Sequence, residues 1–208
     1  MTMNSEQEKI FSIQEGLKQA VLEGIQSIHT LLETQFECDQ FDVDSKYPAE
    51  LALQITNETI ITQTPYNLED EDFGLMLINN NDVKYLIKQL MNHEDNAEQL
   101  DEFGLSAFSE ITNIFYQGFS QNISNFIGKQ IKLERSKVSL VDHKTLGTSP
   151  FSAKVLSIRF NLVHEDVSIP VQLYFDFANF TALFEVQKNK KHNHESKTKT
   201  NEDIQVKE

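Results

Sequence analysis

Apolar residues return along this chain at two spacings, and each predicts a different kind of element. From Glu6 to Phe36, Ile10, Ile13, Leu17, Val21, Ile25, Ile28 and Leu32 recur every three or four residues, the repeat of one helix face. Gly16 and Gly24 weaken that helix without ending it. A stronger stripe runs from Leu105 to Ile127, where Phe108, Ile111, Phe115, Phe119, Ile123 and Phe126 project to one side. The opposite side of the same helix collects Ser106, Glu110, Asn113, Gln117 and Ser124. Their three- and four-residue steps stack these side chains along one exposed line.

Between and after the two long helices the spacing shortens. FECDQFDV and the turn-like DSKYPAE follow the first helix, and then LALQIT, TIITQTPY and FGLMLI read as strands. Asn57 and Glu58 supply a turn between the first two, and LEDED between the second and third. Asp82 is placed to cap a short helix, DVKYLIKQLMN, with Val83, Leu86, Ile87, Leu90 and Met91 as its apolar stripe. An acidic connection, HEDNAEQLDE, reads as structureless. Past the second long helix come strands around IKLERSKVSLV, AKVLSIRFNLV and VSIPVQLYFDF, then a short helical run, NFTALFEVQ.

Helix, strands and short helix therefore occur twice. An offset of 87 residues sets Gln19, Glu23 and Gln26 against Ser106, Glu110 and Asn113, and Ile25, Ile28, Leu32 and Phe36 against Thr112, Phe115, Phe119 and Ile123. One half cannot bury its own sheet, so the expectation is one domain over residues 1–187 with halves at about 6–93 and 101–187. Its class is α+β: two long helices on one face of a mostly antiparallel sheet, related by a pseudo-twofold axis, with short flanking helices. Residues 188–208 are a polar, low-complexity tail and read as disordered.

Composition narrows the function classes. The 208 residues include 15 Phe and no Trp, with 39% of positions hydrophobic, which is globular usage. The net charge of −14 is unevenly spread, because residues 188–208 hold six Lys against four acidic residues and leave 12 basic against 28 acidic residues elsewhere. A surface of that sign repels phosphate backbones and disfavours nucleic acid. A single cysteine, Cys38, forms no internal disulfide and belongs to no zinc-ligand pattern. The N-terminal stretch MTMNSEQEKIF has neither the basic nor the apolar region of a secretory signal, and no apolar run is of membrane-spanning length. The reading is cytoplasmic, without membrane insertion. His192 and His194 lie in the tail and read as solvated, while His29, His93, His143 and His164 are scattered without ligand spacing. The sequence carries no Gly-rich phosphate loop and no nucleophile elbow.

Glutamate, asparagine and serine are ordinary occupants of a solvated helix face; here the match extends beyond them. The segment SAFSEITNIFYQGFSQNISNFIGKQIKLERSKVSLVD resembles the second phosphatase segment of the CheC, CheX and FliY family of chemotaxis phosphatases. That pattern is Ser or Asp, three residues, Glu, two residues, Asn, then twenty-two residues and Pro. Ser106, Glu110 and Asn113 fill the first three places; Ser136 stands at the Pro, and Gln117 stands where a Gly is usual, with Gly118 one place later.

The resemblance implies a CheC-like fold and the hydrolysis of the phosphoaspartate of the response regulator CheY. It implies that Asn113 positions the attacking water and Glu110 docks to the regulator's lysine, with Ser106 and Gln117 as supporting residues. Glu23 and Gln26 would form a degenerate second site. No metal or cofactor of the chain's own is implied, since the Mg²⁺ is the regulator's. An alternative within the same resemblance is a non-catalytic adaptor of the flagellar motor switch, like the FliM middle domain, to which GLMLINNNDVKYLIKQLMN is similar. The expected location then includes the motor base, with flagellar switch proteins as partners. FliY chains usually carry a regulator-binding peptide before this domain and a ring-forming domain after it, and neither pattern is expected in these residues.

Overall fold

In the computed structural model, residues 5–66, 72–91, 100–141 and 148–184 are described. The long helix α1 spans Ser5–Leu32, and strand β1 spans Glu37–Lys46. A short helix α2, Pro48–Ala52, leads to strands β2, Thr59–Pro65, and β3, Phe73–Asn79. Helix α3 is Asn80–Leu90, and α4, the second long helix, is Glu102–Ile127. Strands β4, Lys137–Leu140, β5, Val155–His164, and β6, Val167–Asp176, complete the sheet, and residues 177–184 are again helical.

The six strands form one sheet in the order β1-β5-β6-β3-β2-β4, with every described pairing antiparallel. Exchanging β1, β2 and β3 for β4, β5 and β6 reads the same order backwards, which is the pseudo-twofold relation. Each half lends its first strand to the hairpin of the other: β1 pairs with β5, and β4 pairs with β2. Neither half has a complete sheet by itself, so the two halves share one core.

Strand alternation decides the layers. Met76 and Ile78 of β3, Leu156, Ile158, Phe160 and Leu162 of β5, and Ile169, Val171, Leu173 and Phe175 of β6 face α1 and α4 in the main core. Leu75, Leu77, Val155 and Tyr174 point the other way, into a smaller cluster closed by Leu51, Ile55 and Phe151. Both long helices thus lie on one face of the sheet, as expected from the sequence.

Several local expectations are corrected. Helix α1 stops at Leu32 rather than Phe36, because Glu33 adopts a left-handed φ of 51°. LALQIT is not a strand: Pro48 opens α2 at a position where its fixed φ suits a helix, and the Tyr47 N–H donates to Glu50 Oε2 at 2.7 Å. The cap of α3 is Asn79, whose Oδ1 accepts from the Asn81 N–H at 2.9 Å; Asp82 sits within the first turn. All of FECDQFDV after Phe36, together with residues 44–46 of the expected turn DSKYPAE, forms one edge strand, β1, bulged between Asp39 and Asp42 with Gln40 at φ 52°. The strand expected around IKLERSKVSLV is confined to its second half. The turn LEDED falls mainly, and the connection HEDNAEQLDE largely, outside the described residues, as does the tail.

The repeat register is also different. Alpha-helical ends and burial align at an offset of 95 residues, Leu32 with Ile127 and left-handed Glu33 with left-handed Gly128 (φ 63°). At that offset all nine buried residues of α1 fall on buried residues of α4. Glu15 and Lys18, not Glu23 and Gln26, then correspond to Glu110 and Asn113. The 87-residue register errs by about two helical turns, a shift that roughly preserves the apolar face and so is nearly invisible to periodicity.

Candidate functional site

Helix α4 begins at Asp101, whose Oδ1 accepts from the Gly104 N–H at 2.8 Å, and ends at Gly128. Phe108, Ile111, Phe115, Phe119 and Ile123 are buried as the stripe requires. Phe126 is the exception at 46% exposed; its ring lies over Gly16 and 5.7 Å from the Phe184 ring. On the opposite side Ser106, Glu110 and Gln117 are exposed, and Asn113 and Ser124 are half-buried.

The half-buried residues of that line hold the chain that follows the helix. Ser124 Oγ accepts from the Ile131 N–H at 2.9 Å, and the Lys129 N–H donates to the Ser124 carbonyl at 3.2 Å. Asn113 Oδ1 accepts from the Ser136 N–H at 2.8 Å. Ser109, one turn before Asn113, donates its hydroxyl to the Ser136 carbonyl at 3.0 Å. The Ser136 hydroxyl in turn pairs with Thr64 Oγ1 of β2 at 2.7 Å. The Glu134 N–H donates to the Pro65 carbonyl at 3.1 Å, and Leu133 bridges to Tyr66. Residues 129–136 are thereby fixed alongside α4 without being a strand.

Between α4 and this segment runs an open groove of about 690 Å³. Glu110, Asn113 and Gln117 line one wall, and Lys132, Glu134 and Arg135 line the other. Lys132 and Arg135 are exposed, as are the neighbouring Lys129 and Lys137, so a locally basic strip borders the groove of an acidic chain. Tyr116 lies at the groove's base, 2% exposed, its hydroxyl without a hydrogen-bond partner among the described residues. Burial raises its pKa far above the ordinary phenol value, and burial does the same for Tyr66, helped there by the charges of Asp72 and Asp176.

The structure brings Glu110, Asn113 and Gln117 to one groove and leaves Ser106 one turn beyond it. Glu23 and Gln26 are exposed on α1, at positions whose α4 counterparts are Gly118 and Gln121. Glu15, the true counterpart of Glu110, accepts from Gln19 Nε2 at 2.9 Å, and Lys18 replaces the amide of Asn113. No amide and acid pair is repeated there in the same register. The roles of Ser109, Thr64 and the Ser136 N–H were not expected from sequence. The i, i+4 spacing of Ser109 and Asn113 and the place of Ser136 at the Pro of the resembled pattern are the signals that pointed toward them. Gly118 is not a displaced motif glycine: it is buried against Glu23 and Ser27 of α1. Among the described residues, no three His, Cys, Asp or Glu side chains are grouped as metal ligands, and no helix is long and apolar enough to cross a membrane.

Neither a protein-family model nor a curated protein matches the sequence. Solved structures do match in three dimensions. FliY of Thermotoga maritima is similar with a TM-score of 0.73 at 16% identity, covering 89% of this chain and 98% of that one. The FliM middle domain from H. pylori is similar with a TM-score of 0.70 at 10% identity, covering 88% and 99%. The chemotaxis protein CheX from Desulfovibrio desulfuricans gives 0.52 at 15% identity, covering 78% and 99%. The chain has the fold common to these chemotaxis and flagellar-switch proteins.

Proposed function

We propose that this chain is a member of the CheC, CheX and FliY family and that it dephosphorylates the phosphoaspartate of the response regulator CheY. The observation that carries this reading is the placement of exposed Glu110 and half-buried Asn113 on one line of α4, at the mouth of a groove open to a partner. An acyl phosphate is already reactive, so catalysis asks chiefly for a positioned water. The water oxygen bonds to phosphorus, the bond from phosphorus to the aspartate oxygen breaks, and the products are the free carboxylate and inorganic phosphate. Asn113 orients that water, and the water's proton leaves with the phosphate or to solvent. Glu110 pairs with the regulator's lysine, and the Mg²⁺ that offsets charge on the phosphoryl group belongs to the regulator. Ser106 and Gln117 flank the contact. The chain itself provides neither nucleophile nor metal in this scheme.

The test is the decay of phosphorylated CheY with and without the purified protein. Acceleration above spontaneous decay, lost in a folded Asn113→Ala variant, is the expected result. No acceleration by any form of the protein overturns it in favour of a switch adaptor with flagellar proteins as partners. One observation favours that second reading: Asn113 Oδ1 already holds the Ser136 N–H, a structural task independent of catalysis. The FliM structures of similar fold include complexes with FliG and with SpeE, and a FliG-like switch protein is the partner this alternative predicts.

A further inference from the structure

We propose that Ser136 is a positioning residue whose backbone N–H withdraws the Asn113 carbonyl oxygen from the groove and so holds the phosphatase at a low basal rate. The inference rests on the phosphatase reading above and adds to it a residue that sets the rate.

Ser136 is 7% exposed, and its three polar groups are all engaged: the N–H with Asn113 Oδ1, the carbonyl with Ser109 Oγ, and the hydroxyl with Thr64 Oγ1. It is a rigid fixture of the groove wall. A backbone N–H is a donor only, so the atom of Asn113 that faces it must be the carbonyl oxygen, and the amide cannot be turned end for end without losing the bond. The NH₂ group is then what remains for the groove.

That orientation is the wrong one for driving a water onto phosphorus. An amide oxygen accepts a proton of the water and leaves a lone pair of the water free for attack. An amide NH₂ instead donates to a lone pair of the attacking oxygen and lowers its nucleophilicity. With one of its two lone pairs taken and its side chain drawn toward residue 136, Oδ1 serves the water poorly. Loss of the Ser136 donor frees Asn113 to present its oxygen. Proline is the residue that lacks this N–H, and Ser136 occupies the place where the resembled pattern has Pro.

The experiment compares wild type, Ser136→Pro, Ser136→Ala, Asn113→Ala and the Ser136→Pro/Asn113→Ala double variant in the CheY decay assay, over a range of regulator concentration. Ser136→Pro should raise kcat several-fold with KM unchanged. Ser136→Ala keeps the N–H and loses the bond to Thr64 that anchors it, so any gain should stay below that of Ser136→Pro; a gain equal to that of the proline variant would count against the N–H. The double variant should lose the whole gain. An ester in place of the residue 136 amide removes the N–H and keeps the hydroxyl; it should reproduce the gain even where the proline variant folds poorly. Hydrogen exchange supplies a readout independent of activity: the Ser136 amide should be protected in wild type and exchange faster in folded Asn113→Ala. The inference falls alone if wild type outpaces Asn113→Ala while the proline and ester forms do not exceed wild type, or if Ser136 exchange is unchanged by Asn113→Ala. Spontaneous decay with every form of the protein removes the phosphatase reading itself.

Discussion

Gly118 of α4 rests on the backbone of Glu23 in α1: a Cβ built on the glycine would stand 2.7 Å from the Glu23 carbonyl oxygen and closer still to Ser27 Oγ. Gly24 makes the reciprocal approach, with a built Cβ 2.7 Å from the Phe115 ring and 3.0 Å from the Phe115 carbonyl oxygen. The two long helices therefore touch through glycines, and that close approach fixes where the exposed line of α4 points.

Alanine at either glycine is expected to destabilise the fold by about 1–3 kcal/mol through overpacking. The gain in helix propensity, about 1 kcal/mol at most, opposes this and is outweighed because backbone atoms must move. Urea unfolding midpoints test it: a midpoint for Gly118→Ala at or above wild type would mean the helices have room that the packing denies.

Charge reversal should separate the two acidic positions that sequence alone had paired. Glu110→Lys is expected to weaken regulator binding by roughly tenfold, mainly through slower association. Glu23→Lys should leave it unchanged. Equal effects from both variants would restore a second site on α1.

The basic strip opposite Asn113 predicts a salt-dependent contact. Reversing Lys132 and Arg135 together to Glu should lower affinity for an anionic, phosphorylated partner and flatten its dependence on ionic strength. A titration at two salt concentrations checks both. Undiminished affinity with an unchanged salt slope would remove that wall from the interface.

Tyr66 and Tyr116 predict the alkaline limb of stability. Burial raises both hydroxyls above their ordinary value, so the unfolded chain releases these protons first. Stability is fully present below pH about 10 and falls above it, by up to about 1.4 kcal/mol per pH unit for each tyrosine. Tyr116→Phe should flatten that slope, and should also raise stability at neutral pH by about 1 kcal/mol, since it removes a buried hydroxyl with no partner among the described residues. Chemical denaturation across pH 8 to about 11 measures both effects; an unaltered slope in the phenylalanine variant would place the titration elsewhere.

Local spacing carried a large part of the fold. The stripes of α1, α3 and α4, the alternation in β2, β3, β5 and β6, and the outward line of Glu110 and Gln117 follow from side-chain periods of about 3.6 and 2 residues. These are properties of neighbours in the chain, so the sequence by itself determined them, along with the duplicated order of elements that made one shared core necessary. LALQIT misled because three alternating positions cannot outweigh a proline and a back-reaching glutamate in the first turn of a helix.

Other features were decided by tertiary structure alone. The 95-residue register arises where helix ends and burial coincide, whereas a periodic stripe looks nearly the same after a slip of two turns. The exchange of β1 and β4 between halves depends on which hairpin offers an open edge. The state of Asn113 depends on a backbone N–H brought to it from residue 136 by Ser109, Ser124 and Thr64. A side chain's place on a helix is written in its neighbours; the partner its oxygen meets is set only when distant segments pack.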